Sequence, residues 1–196
     1  SKLSKNSLER IIINKHKIKL IYNPYIIKIN RFKPKLVRKR FSILSTGRLV
    51  KQKNFELLID VIKKIHKKRE VELLIIGNGN RENILKKKIS KSKYIKIIDW
   101  KKDLSKYYKK SNLYIMSSFY EGSPNALLDS INNSTPVLAS NCSGVSDIIG
   151  KDKGYIFKNN DENDLYKKLI YIIDNYELAI NRSKLAHKDL KKFSIN

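Results

Sequence analysis

Short, β-rich apolar runs recur along this chain, each ending at a turn residue; after the first comes a basic stretch without a clear period, Ile26–Arg40, which reads as a linker, and after the others come apolar residues at helical spacing. The runs are Lys17–Tyr22, Phe41–Thr46, Val71–Ile76, Tyr94–Ile98, Leu113–Ser117, Pro136–Ser140 and Gly154–Phe157. A strand that is apolar on both sides needs cover on both faces, so this order predicts a parallel sheet with helices above and below it. The helical stretches lie at Glu56–His66, with Asn54 as the expected N-cap, and at Arg81–Ser90, Leu104–Lys110, Ala126–Asn132, Val145–Ile149, Glu162–Asp174 and Leu178–Lys192. Right-handed crossovers make this an α/β, Rossmann-like doubly wound layer, whose ligands sit beyond the carboxyl ends of the strands. The loops to inspect are therefore 47–54, 77–80, 99–103, 117–125 and 141–144.

The 196 residues suffice for one full-sized domain, and every apolar run is broken by Lys or Asn before it reaches membrane-spanning length. The chain does not open with Met and stops straight after a helical run, so both ends read as cuts in a longer protein. A lone cysteine, Cys142, suits a reducing compartment. The 43 Lys and Arg against 18 Asp and Glu give a net charge of +25. Such a charge fits an anionic membrane surface or nucleic acid, but it also fits compositional drift in a chain crowded with Lys, Asn, Ile and Tyr. Basic residues are spread along the whole length rather than gathered in one block.

Two constellations carry chemistry. In the first, Gly47 turns the chain after a strand, and Arg48 and Lys53 flank a loop that opens a helix. Helix starts attract anions, Arg can hold a phosphate through two bonds, and Lys acts as a point charge. A solvated basic loop is the alternative. In the second, Glu121 precedes the turn Gly122-Ser123-Pro124, and Asp129 follows inside the next helix. The amides of Asn125, Ala126 and Leu127 are expected to point out of the helix start, and Gly122 admits a close backbone approach. Acids beside an anion-binding helix end suit a molecule with both hydroxyls and phosphates. The alternative is a dipole-favoured acid and a solvated helix residue. Gly77-Asn78-Gly79 is expected only to permit a tight strand-to-helix turn. Nothing indicates a metal, since DxD, CxxC and HExxH are all missing from the sequence, and His16, His66 and His187 lie away from the candidate loops.

Taken in order, Ile21–Pro24, Gly47–Leu49 with Lys53-Asn54, Leu74–Gly79, Ser118–Asn125, Pro136–Ser140 and Gly144 with Asp147–Ile149 resemble the C-terminal domain of the retaining GT-B glycosyltransferases, family four. The resemblance implies the donor-binding half of a two-domain fold. Residues 1–40 would be a remnant of the N-terminal acceptor domain plus a linker, and 41–196 the nucleotide-sugar domain, truncated at its end. It implies that Arg48 and Lys53 neutralise the diphosphate, with Gly47 at the turn. Glu121 would meet the donor sugar, with Gly122 and Ser123 beside it. Asn125, Ala126 and Leu127 would offer amides to the diphosphate. Asp129 falls where the family has a ribose-binding glutamate, one methylene longer, and Trp100 and Lys101 lie where the family contacts the base.

The implied donor is a UDP-sugar or GDP-sugar, without a cofactor or metal. The implied acceptor is a saccharide or lipid-linked saccharide in surface polysaccharide or glycoconjugate synthesis. The implied place is cytoplasmic, peripheral on the inner face of the plasma membrane, and the fragment alone is expected to bind donor without turnover. Rival readings are a nucleotide-sugar epimerase of the same fold and a basic module for nucleic acid or anionic lipid. The latter needs one charged stripe with interleaved aromatics, and Tyr107, Tyr108, Phe119 and Tyr120 sit at positions that more often face a core. A nucleic-acid partner is therefore not expected.

Overall fold

The computed structural model describes residues 2–9, 29–36 and 40–193. Six strands, β1 (Phe41–Thr46), β2 (Val71–Ile76), β3 (Ile95–Ile98), β4 (Leu113–Met116), β5 (Val137–Ser140) and β6 (Tyr155–Phe157), form one sheet in the order β3-β2-β1-β4-β5-β6. Every pairing is parallel. This is the expected doubly wound layer. The expected strand at Lys17–Tyr22 and the Asn23-Pro24 turn lie outside the described residues. The first helix, α1, spans Lys2–Glu9.

The connecting helices are α2 (Phe55–His66), α3 (Glu82–Ile89), α4 (Ser105–Lys110), α5 (Asn125–Asn132), α6 (Val145–Ile149), α7 (Glu162–Asp174) and α8 (Tyr176–Lys188). The sheet separates two cores. On one face Ile43, Leu73 and Leu113 pack with Leu58 and Ile62 of α2 and with Leu165 and Leu169 of α7. On the other, Leu44, Tyr114 and Met116 pack with Leu127 and Ile131 of α5 and with Val145 and Ile149 of α6. Consecutive β1 residues thus feed opposite cores, which is why the run carries no polar alternation. Each fully buried Leu or Ile here contributes roughly 1.5–3 kcal/mol by leaving water.

Pairing between strands is uneven. The β1–β2 ladder runs from Phe41↔Val71 to Thr46↔Ile76, whereas β1 and β4 share only Ile43↔Leu113 and Leu44↔Tyr114. The strand order reverses at this β1–β4 seam, so it is the topological switch point, the place where sheets of this kind are expected to offer a ligand crevice at the carboxyl ends.

Two local expectations are corrected. Asn54 does precede α2, but its side chain does not cap the helix. It adopts a left-handed backbone (φ 48°), which Asn tolerates, and its Nδ2 donates to Asn160 Oδ1 at 3.1 Å. The last helical run is not continuous: α8 stops at Lys188, and a 3₁₀ turn takes over at Leu190–Phe193. The Asp189 amide tightens onto Ala186 O (3.1 Å), and its carboxylate is drawn to Lys153.

Residues 29–36 have no regular structure, and they are tied down at the amino ends of the strands. The Asn30 amide donates to Asn132 Oδ1 (2.9 Å) and the Lys33 amide to Ser134 Oγ (3.0 Å). The Lys35 ammonium donates to the Tyr108 carbonyl, to Ser111 O (2.9 Å) and to Thr135 Oγ1 (2.6 Å). Phe32 meets His187 of α8 edge-on, with ring centroids 5.5 Å apart.

Candidate active site

Two loops flank the switch point: residues 47–54 after β1 and residues 117–124 after β4. Gly47 leaves β1 with φ 147°, and the Lys53 side chain lies across it, so that a Cβ there would stand 3.0 Å from Lys53 Cε. Leu49 is fully buried and pins the loop from below. Its amide donates to Asn78 O and its carbonyl accepts from the Arg81 amide, both at 2.8 Å. This close approach explains Gly77-Asn78-Gly79. A Cβ on Gly77 would fall 1.9 Å from Gly47 O, and one on Gly79 would fall 2.5 Å from Leu49 O. The glycines serve contact between neighbouring loops rather than a tight turn of their own, which corrects the sequence reading.

The β1 and β4 loops are laced together by polar contacts. The Phe119 amide donates to Gln52 O, Gln52 Nε2 to Tyr120 O and Ser117 Oγ to Lys53 O, each at 2.8 Å. Asn159, from the segment after β6, donates to Phe119 O at 2.5 Å. At the centre, Lys53 Nζ lies 2.6 Å from Glu121 Oε1, and the side chains are only 19% and 11% exposed. Ser118 Oγ donates to the same Oε1 at 2.6 Å. Removing two charges from water costs most of what their attraction returns, so such a pair is weak evidence of stabilisation. Its position sets a cation and an acid side by side at the carboxyl end of the β1–β4 seam.

The Cys142 thiol sits at the back of this cluster, 3.8 Å from Ser140 Oγ and bonded to the Glu121 backbone. Burial first, and then the Glu121 charge, push its pKa up and keep it protonated. Tyr114, between the loops, is fully buried with its hydroxyl beside Thr46 Oγ1 (3.3 Å). Burial raises its pKa, and the charges of both Glu121 and Asp129 add to the shift.

Of the residues predicted from sequence, Gly47, Lys53 and Glu121 come together in one cluster. Gly122 and Ser123 continue the same loop, and a Cβ on Gly122 would enter open space, so nothing in the protein itself requires glycine there. The amide expectation at α5 is corrected. The Asn125 amide donates to Ser123 O and the Leu127 amide to Pro124 O, both at 2.9 Å, and Leu127 is a core residue. Of the three, only the Ala126 amide takes no acceptor among the described residues.

Arg48 stands exposed on the rim without an ion pair among the described residues. Trp100 (60% exposed) and Lys101 lie on the neighbouring loop, where Asn78 Oδ1 accepts the Trp100 amide at 2.7 Å. Asp129 opens into a separate cavity of about 330 Å³ shared with Lys102, Ser105 and Tyr108. Sequence reasoning gave no role to Gln52, Asn78, Ser118, Ser140 or Asn159. Gln52, Asn78 and Ser118 were marked only by membership of the loops and Ser140 and Asn159 by nothing, because uncharged side chains that bond across the fold leave no local pattern.

The pattern of the family "Glycosyl transferases group 1" matches residues 26–189. The chain is 35% identical over 162 residues to the amylovoran biosynthesis glycosyltransferase AmsD of Erwinia amylovora, covering 81% of this chain and 46% of that protein. It thus spans about half the length of the curated relative it matches. Among solved structures, a TarM mutant from S. aureus, crystallised with fondaparinux, alpha-GlcNAc-glycerol and UDP, superposes with a TM-score of 0.84 at 22% identity, covering 99% of this chain and 40% of that one. HepE of Anabaena, in complex with UDP and glucose, gives 0.85 at 16% identity, covering 99% and 58%. At these identities the likeness speaks for the fold.

Proposed function

Because the chain belongs to the glycosyl transferases group 1, we propose that it is the donor-binding half of a retaining, hexosyl-transferring glycosyltransferase that acts in surface polysaccharide or glycoconjugate synthesis. The donor is a nucleoside-diphosphate sugar, a UDP-sugar or a GDP-sugar. The acceptor is a saccharide, free or lipid-linked, held largely by chain that lies outside these residues. The UDP bound in the TarM and HepE complexes and the polysaccharide for which AmsD is named support this reading.

The observation that carries it is the Lys53–Glu121 pair at the switch point. As the bond between sugar and diphosphate breaks, negative charge builds on the leaving group. Lys53, Arg48 and the Ala126 amide are the donors that meet it, and stabilising charge that develops only in the transition state is what accelerates a reaction. Glu121 accepts from hydroxyls of the sugar. Asp129 takes the ribose in its side cavity, and Trp100 and Lys101 flank the base.

Titrating this chain with UDP, GDP and their sugar conjugates by calorimetry tests the reading. Binding of at least one diphosphate is expected, and no heat with any of them overturns it. In the complete enzyme, Glu121→Ala is expected to abolish transfer, and transfer at the normal rate removes Glu121 from the chemistry.

The excess of cations supports an anionic membrane surface as a second partner, in a cytoplasmic, peripheral enzyme. Lys106, Lys109 and Lys110 of α4 are exposed, as are Arg31 and Lys33 of the linker, and none has an ion-pair partner among the described residues. Sedimentation with vesicles of anionic against zwitterionic lipid tests this, and equal binding to both rejects it.

A further inference from the structure

We propose that Ser118 is a positioning residue that keeps the Glu121 carboxylate aimed at the donor sugar once Lys53 turns to the diphosphate; this rests on the roles given above to Glu121 and Lys53. In the structure Glu121 Oε1 receives two donors, Lys53 Nζ and Ser118 Oγ, each at 2.6 Å. Oε2 takes none among the described residues, so the carboxylate is held by one oxygen and offers the other.

The two holders differ in kind. Lys53 ends a flexible four-carbon stem, and its charge is the one a diphosphate competes for. Ser118 is 1% exposed, stands two residues past the end of β4, and has a single short rotor. Its own backbone is fixed, since the Ser140 hydroxyl donates to Ser118 O at 2.5 Å. The preceding hydroxyl, Ser117 Oγ, donates to Lys53 O, which holds the base of the lysine while its tip is free to move. When the ammonium leaves for the phosphates, the Ser118 hydroxyl is the anchor that stays. Bonds from hydroxyl to carboxylate are among the stronger neutral-to-ion contacts, so losing this one releases the acid rather than merely loosening it.

The test compares binding of nucleoside diphosphates with binding of their sugar conjugates. UDP, UDP-glucose, UDP-galactose, UDP-N-acetylglucosamine, UDP-N-acetylgalactosamine, GDP and GDP-mannose are titrated into the wild type by calorimetry. The conjugate that gains most over its diphosphate is then used with Ser118→Ala and Glu121→Ala. Ser118→Ala is expected to keep diphosphate affinity within about twofold while losing about tenfold of the gain from the sugar. Ser118→Cys, a weaker donor of similar size, falls between. A structural role alone would lower the melting temperature and weaken both ligands together, and that result overturns the proposal. Loss of the sugar gain in Glu121→Ala but not in Ser118→Ala also overturns it, while leaving the role of Glu121 intact. A sugar gain that survives in Glu121→Ala, or that no conjugate shows, overturns the reading on which the proposal stands.

Discussion

Lys53 Nζ and Glu121 Oε1 are 2.6 Å apart where the β1 and β4 loops meet, so the cation proposed for a diphosphate is engaged by the acid proposed for a sugar. A bare nucleoside diphosphate must compete with Glu121 for the ammonium, whereas a sugar conjugate gives each partner something in exchange. Glu121→Gln is therefore expected to bind UDP or GDP about three- to tenfold more tightly while losing its preference for the sugar conjugate. Calorimetry on both ligands reads this, and a variant that weakens the diphosphate rejects the competition.

Gly122 and Gly77 are expected to respond in opposite ways to the same substitution. A methyl on Gly122 enters open space, so Gly122→Ala leaves the melting temperature within a degree or two but obstructs the donor, weakening it about tenfold. A methyl on Gly77 lands on the Gly47 carbonyl, so Gly77→Ala costs about 2–4 kcal/mol of stability. Denaturant unfolding and donor titration of the two variants separate the effects.

Asp129 is given the ribose. Wild type should then bind UDP more tightly than 2′,3′-dideoxy-UDP, by about tenfold, and Asp129→Ala should bind the two alike. An undiminished preference in the variant moves the ribose elsewhere.

Lys35 links stability to pH. Burial, with repulsion from Lys109 added, lowers its pKa from the ordinary Lys value of 10.5 to about 7. Below about pH 7 the folded and unfolded chains both carry the charge, and the folded one bears the full cost of burying it. Between about 7 and 10.5 the folded form has shed the proton and the unfolded form has not, so stability rises with pH in that window. The melting temperature of wild type minus that of Lys35→Met is expected to climb from pH 6.5 to 9.5. A flat difference shows that Lys35 is not the group responsible, whatever the other lysines do.

The parallel layer was legible because strands covered on both faces are nearly continuous apolar runs, and Leu73–Ile76 can satisfy little else. Lys53 and Glu121 were legible because charge beside a strand end is conspicuous. What holds them was not. Gln52, Ser118 and Asn159 act across separations of 68, 3 and 40 residues, and a polar side chain gives no advance sign of the carbonyl or carboxylate it will meet. Asn54 was misread for the same reason, since its partner Asn160 arrives from beyond β6. The α5 amides were misread because Pro124 and Ser123 close the turn on themselves, which a generic picture of a helix start does not include.

The two-residue pairing of β1 with β4 has a mechanical consequence. It divides the sheet into a β1–β3 block and a β4–β6 block joined by the shortest ladder of all, and beyond its end by one backbone bond, from the Phe119 amide to Gln52 O, and a few side chains. A ligand gripped by Lys53 from the first block and by Glu121 from the second acts as a clasp across that join. Occupancy should therefore show itself less as tightening of either block than as the two exchanging amide hydrogens in step.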